Sequence, residues 1–329
     1  MLTIKEIAEM ANVSRSTVSR ALNNSGYVSE DARERIEKVI KETGYAPSQH
    51  AKSLRTKKTK VIGVILPTIQ TETSGKIVAG IDRVLSANGY QILLANTNLN
   101  SEKEMEYIDL LKARQVDGII LIATNTEKQL VEKIKEVSIP FLVIGQEIEG
   151  VVSVVYDDYH ASRELVSLLI KEGHEKIAFI GVDEEDRAVG YERKRGYIDE
   201  MQANKLTIEG AWMQKAVFDI DSGNKAMEQI INRSKEKPTA LFAVTDRLAI
   251  GALSYLKKID IDVPNDFAIV SIGASEISQY VDPPLTTVDY QNEEAGSEAG
   301  KQILEMIASN EIDPKKITID YRLIKRNSV

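Results

Sequence analysis

Residues 3–22, TIKEIAEMANVSRSTVSRAL, compress two short helices and a tight turn into one unit. Thr3 and Glu6 form a T-x-x-E capping box, and Ile4, Ile7, Ala8 and Ala11 follow at i, i+3, i+4 and i+7 on one face. Asn12-Val13-Ser14 breaks that pattern, and Ser14 can cap a second helix in which Val18, Ala21 and Leu22 resume the apolar spacing. The other face of this second helix carries Arg15, Ser16, Thr17, Ser19 and Arg20, side chains suited to base edges and phosphates in a DNA major groove. A third helix is predicted from Ser29, with acids at Glu30 and Asp31, burying Ile36, Val39 and Ile40 and stopping at Gly44. A small helical domain with a merely polar surface has the same periodicity, but charge argues against it. Residues 1–60 hold 12 Lys+Arg against 7 Asp+Glu, a net of +5, whereas the remainder holds 30 against 43, a net of −13. A basic module on an acidic chain points to nucleic acid at the N-terminus alone.

The 329 residues suffice for two or three domains with a sizeable core. No export signal precedes the first helix, and no run approaches the roughly 20 apolar residues of a membrane span, so the expectation is a cytoplasmic protein with no membrane partner. The chain has no cysteine, and its three histidines, His50, His160 and His174, are scattered. No metal and no cofactor are expected.

Working outward, Tyr45-Ala46-Pro47 and the basic stretch to Lys60 read as a linker with one short helix near residues 48–55. Beyond it, β-branched runs alternate with amphipathic helices. VIGVILP (61–67), QILLAN (91–96), DGIILIA (117–123), PFLVIG (140–145) and VVSVVYDD (151–158) form a first series. KIAFIGV (176–182), a strand near Ala216, TALFAVT (239–245) and DFAIVSIG (266–273) form a second. This alternation predicts two parallel-sheet α/β lobes, with a ligand cleft at the carboxyl ends of the strands.

Taken together, TIKEIAEMANVSRSTVSRALN, GYAPSQHAKSLR, VDGIIL, GHEKIAFIG, R-x-x-GY at 193–197, TDRLAIGAL at 245–253 and PPLTTVDY at 283–290 resemble the LacI/GalR family of bacterial transcription regulators over essentially the whole chain. Within it, the later half is most similar to sucrose and trehalose operon repressors. The resemblance implies an all-α helix-turn-helix domain (1–46), a hinge helix and linker (47–60), and a periplasmic-binding-protein-like core (61–329). In that core the N-lobe would take about 61–158 plus a segment near 283–312, and the C-lobe about 159–282 plus the C-terminal end. It implies a homodimer on double-stranded, palindromic operator DNA. Arg15, Ser16 and Arg20 would read bases, while Thr3, Ser14, Thr17, Ser19, Asn23, Tyr27 and Ser29 hold or border the backbone. From the hinge helix, Ser48, Ala51, Leu54 and Arg55 would enter the minor groove, with Leu54 wedging a base step.

The same resemblance implies a small sugar effector in the cleft and names its contacts. Arg193 matches the arginine that binds ligand oxygens, Phe218 an aromatic against the ligand, and Tyr290 a polar contact. Asp246 matches a cleft acid and reads equally as an N-cap for residues 247–256; a buried phenylalanine such as Phe218 is core in most cases. Where relatives carry an aromatic pair this chain has Thr73 and Ser74 beside Glu72, and where many carry Asp-Arg it has Gly145-Gln146. The loop after Gly273 is shorter, leaving Ser275 and Glu276. Glu72, Ser74, Gln146 and Glu276 complete the expected effector contacts. With few arginines near the N-lobe strand ends, the expected effector is sucrose or a related neutral disaccharide. The alternatives are a sugar phosphate, or a catabolite regulator dependent on a phosphoprotein corepressor. An enzyme is not expected: there is no P-loop, G-x-S-x-G, metal cluster or defensible carboxylate pair. The chain closes in ITIDYRLIKRNSV, read as a strand and a frayed tail in place of a leucine-heptad helix, so a dimer is expected.

Overall fold

The computed structural model describes residues 2–45, 58–309 and 313–329, which fall into two compact units, residues 1–60 and 61–329. In the first unit, α1 (Ile4–Met10), α2 (Arg15–Asn23) and α3 (Glu30–Thr43) enclose a small core of Ile7, Ala8, Ala11, Val18, Ile36 and Val39. The capping box closes as read: the Thr3 N–H donates to Glu6 at 2.7 Å, and the Glu6 N–H to the Thr3 hydroxyl at 3.3 Å. Ser14 caps α2 by accepting from the Thr17 N–H at 3.1 Å. Asn12, Asn24 and Gly44 adopt left-handed backbone at the turns, where a short polar side chain or none is tolerated. Ile40 is only half-buried, and Ala32 takes a core place beside Ile36 instead. The hinge positions Ser48, Ala51, Leu54 and Arg55 lie outside the described residues.

The second unit is built from two sheets. The N-lobe sheet comprises β1 (Val61–Leu66), β2 (Gln91–Asn96), β3 (Gly118–Ile122), β4 (Phe141–Ile144), β5 (Val152–Tyr156) and β11 (Lys316–Ile319), ordered β11-β5-β4-β3-β1-β2 and parallel throughout. The C-lobe sheet comprises β6 (Ile177–Gly181), β7 (Met213–Lys215), β8 (Ala240–Ala243), β9 (Ala268–Ile272), β10 (Thr286–Asp289) and β12 (Arg322–Ile324). Its order is β12-β10-β9-β8-β6-β7, with only β12 antiparallel. Central strands are buried on both faces, which is why they read as unbroken apolar runs rather than alternating ones.

The helices of the N-lobe are α4 (Glu72–Ala87), α5 (Ser101–Ala113), α6 (Lys128–Lys135) and, from the distal end of the chain, α11 (Asn292–Ser309). Those of the C-lobe are α7 (Asp158–Lys171), α8 (Arg193–Ala203), α9 (Ile220–Arg233) and α10 (Asp246–Lys258). One helix pair in each lobe meets at backbone contact through glycines. A Cβ on Gly80 of α4 would lie 2.0 Å from the Glu293 carbonyl of α11, and one on Gly251 of α10 would lie 2.0 Å from the Ile220 carbonyl of α9.

Two expectations need correction. The strand Thr286–Asp289, assigned with the N-lobe segment from about 283, pairs with β9 and belongs to the C-lobe; the return to the N-lobe falls at residues 290–291. Nor is the C-terminal tail frayed, because Tyr321 onward returns to the C-lobe as β12. Beyond it Ser328 is fully buried, donating to the Ile269 carbonyl at 2.6 Å and accepting from the Thr286 N–H at 2.8 Å. The chain therefore crosses between lobes three times, near residues 157, 290 and 320.

Because the glycine contacts leave no room for a methyl group, Gly251→Ala is expected to cost about 1–3 kcal/mol, read as a lower urea midpoint at unchanged m-value. Gly75→Ala, at a helical site with nothing within 4 Å, should be neutral or stabilising in the same assay.

Candidate functional site

On α2, Arg15, Ser16, Ser19, Arg20 and Asn23 recur at the spacing of one helix face, and the apolar Val18 faces the opposite way, into the core. Arg15, Ser16, Arg20, Asn23, Tyr27, Thr3, Ser14 and Ser29 are exposed, and Thr17 and Ser19 half-exposed. Some of these polar groups already have local work. Ser14 bonds both Ser16 and Thr17, and the Asn23 amide donates to the Ser19 carbonyl at 2.6 Å. Ser29 precedes α3, yet its side chain makes no capping bond. Arg15 and Arg20 stand at the surface with no ion pair among the described residues.

In the core unit, the carboxyl ends of both sheets open onto a cavity of about 210 Å³. Glu72, Ser74, Gln146, Arg193, Phe218, Asp246 and Tyr290 all line it. Glu276 does not: after left-handed Ala274 the loop turns Ser275 inward and points Glu276 to solvent, where only its N–H reaches Glu72, at 2.6 Å. Asp158, Asp186, Tyr156, Asn292 and Arg247 also line the cavity, and the sequence reading missed them. Asp158 was hidden in the pair Asp157-Asp158, of which Asp157 is the cap of α7. Asp186 was hidden in the acid run 183–186, which reads as a solvated loop.

The centre of the cavity wall is a buried ion pair. Arg193 Nε donates to Asp158 Oδ1 at 2.6 Å, and its Nη1 donates to the Val244 carbonyl beyond β8. The Tyr290 hydroxyl donates to the same Asp158 oxygen at 2.9 Å. Tyr290 stacks on Tyr156 with centroids 4.7 Å apart, and the Tyr156 hydroxyl donates to Asn292 at 2.8 Å. Burial, reinforced by the Asp158 charge, drives both phenol pKa values far above the ordinary range, so both hydroxyls stay protonated as donors.

Asp246 is not the N-cap of α10; Thr245 is, accepting from the Leu248 N–H. Asp246 instead accepts from Ser271 at 2.6 Å, from Thr287 at 2.7 Å, and from the N–H and hydroxyl of Ser275 at 2.6 and 2.8 Å. These four donors satisfy the carboxylate internally and tie β9, β10 and α10 into one rim. Phe218 is half-buried, packed on the C-lobe core while also lining the cavity, so its two readings coexist. Between lobes, Gln146 donates to Asp186 at 2.7 Å and Glu72 takes the Glu276 N–H. Burial pushes the Asp186 carboxyl up to about 6, although Val189 and Gln146 donate to it.

Two outcomes follow from these pairings. Removing the guanidinium strands Asp158 as a lone buried charge, so Arg193→Ala should destabilise the core by about 3–5 kcal/mol in urea unfolding. An aspartate in water is ionised above about 3.8, whereas folded Asp186 is ionised only above about 6. Its contribution therefore becomes less favourable as pH rises through that window and stays so above it. Asp186→Asn keeps the acceptor oxygen and should gain up to about 3 kcal/mol over the parent near pH 7.5, and much less near pH 4.5, by differential melting.

Comparison with known proteins agrees with this architecture. Residues 3–48 match the model of bacterial regulatory proteins of the lacI family, and residues 166–329 match that of the periplasmic binding protein-like domain. The HTH-type transcriptional regulator RegA of Clostridium saccharobutylicum is 31% identical over 99% of this chain and 98% of its own length. Catabolite control protein A of Priestia megaterium is 30% identical over 99% of both. The solved complex of transcriptional regulator CelR with cellobiose superposes with a TM-score of 0.76 at 28% identity, covering 100% of both chains. Among the described residues no helix is long and apolar enough to cross a membrane. Matched almost end to end by such regulators, the chain belongs to the lacI family of bacterial regulatory proteins and is a DNA-binding transcriptional regulator, not an enzyme.

Proposed function

We propose that this regulator is a cytoplasmic repressor of a carbohydrate-utilisation operon, released from a palindromic operator by a small sugar, of disaccharide size, bound in the cleft. The observation that carries the reading is the cavity itself, whose wall joins both lobes to the segments that cross between them. A ligand touching Gln146 and Glu72 on one side and Arg193 and Phe218 on the other has different contacts in open and closed arrangements, which is the requirement for shifting their populations. The similarity to a cellobiose-bound regulator supports a sugar of that size. Arg15, Ser16 and Arg20 are assigned to base reading, and the hinge residues to the minor groove.

The repressor acts as a homodimer. Ile69, Leu93, Leu94 and Leu99, at or near the N-lobe edge strand β2, are between 40% and 68% exposed, a cost that a second copy of the chain would remove. A second reading, a catabolite regulator docked by a phosphorylated carrier protein, draws on the similarity to catabolite control protein A. Capture of the regulator on such a carrier would favour it.

Operator binding measured with and without sucrose, trehalose and cellobiose, free and phosphorylated, tests the leading reading. The active sugar is expected to weaken binding by about 5- to 150-fold, the usual range of coupling between two sites. If none of the sugars changes operator affinity, the inducer half of the proposal fails.

A further inference from the structure

Arg247, the second residue of α10, projects from a rigid base. Asp246 before it is held by four donors, Thr245 caps the helix, and the contacts of Gly251 and Gly223 lock α10 onto α9. That packing brings Asp219, the cap of α9, close to Arg247. The Asp219 carboxyl is held below its usual range first by the Ser222 N–H and, more weakly, by the Arg247 charge.

The other cations of the cavity have carboxylate partners. Arg193 is paired with Asp158 at 2.6 Å and Lys76 with Glu72 at 2.5 Å. Arg247 lines the same cavity, yet among the described residues no carboxylate, Asp219 included, lies within ion-pair distance of it. Its Nε–H is buried and has no acceptor among the described residues. A buried donor is costly to leave empty, and a guanidinium edge offers two parallel N–H groups that match two oxygens of a phosphate or carboxylate.

We propose that the effector carries an oxyanion held by the fork of Arg247 on the C-lobe side of the cleft. The inference rests on the sugar-effector reading and deepens it: the ligand is a phosphorylated or acidic sugar. The sequence alone pointed to a neutral one because Arg193 was the only guanidinium it placed in the cleft.

Calorimetric titration of the full chain with matched sugars tests this. The sets are glucose against glucose 6-phosphate and glucuronate, sucrose against sucrose 6-phosphate, and trehalose against trehalose 6-phosphate. In at least one set the anionic member is expected to bind about tenfold or more tightly than its neutral parent. Glucuronate and glucose 6-phosphate tell a carboxylate from a phosphate. Arg247→Gln should bring the members within about twofold, and Arg247→Lys, a point charge without the fork, should retain only part of the preference. If neutral parents bind as tightly as their anionic partners, or the full preference survives both substitutions, the oxyanion proposal is overturned and the sugar reading stands. Binding by no sugar of either kind overturns both.

Discussion

A single oxygen of Asp158 receives the Arg193 guanidinium and the Tyr290 hydroxyl in a buried part of the cavity wall. Asp158 opens α7 just past the first crossing between lobes, Tyr290 lies on the second crossing, and Arg193 opens α8 and reaches the strand end at Val244. The pair thus binds together places more than 30 residues apart and joins them to Tyr290 and the end of β8. A buried pair of this kind recovers its desolvation cost only when both partners are hydrogen-bonded in place. Here the extra bonds to Val244 and Tyr290 meet that condition.

The crossings gain a second tie from aromatic packing. Tyr156 on the first crossing stacks on Tyr290 on the second, and Tyr321 on the third meets Tyr290 edge to face at 6.3 Å. Gln291 adds a hydrogen bond to the Asp320 carbonyl at 2.9 Å. These contacts tie the three crossing segments to one another. Tyr290 and Tyr156 also line the cavity, so a ligand there would touch two of the crossing segments directly. The rim held by Asp246 is rigid in comparison, since one carboxylate collects donors from two strands and the loop that follows β9.

Much of this was legible in the chain. Capping at Thr3 and Ser14, the 3.6-residue apolar period of the first helices and the buried β-branched runs are local signals, each set by a few neighbouring residues and by solvent. They suffice for a helix-turn-helix followed by two parallel α/β lobes. What failed did so where a residue's role depends on partners distant in sequence. ITIDYRLIKRNSV reads as one strand and a loose end, yet it supplies a strand to each lobe, because the edge it pairs with is created by residues 152–156 and 286–289. Glu276 and Ser275 are adjacent polar residues, and only the loop's backbone decides which of them faces the cavity.

By itself, then, the sequence determined the class of elements, their order, the charge contrast between the N-terminal module and the rest, and the aptness of Arg15, Ser16 and Arg20 for DNA. Only the tertiary structure decided which of many acids and arginines are chemical. Asp158 and Asp186 differ from the solvated carboxylates around them in burial and in their partners, and Arg247 differs from the exposed arginines in carrying a buried Nε–H that has no acceptor among the described residues. Burial and pairing are set by what folds against a side chain, so residue type and spacing carry no record of them.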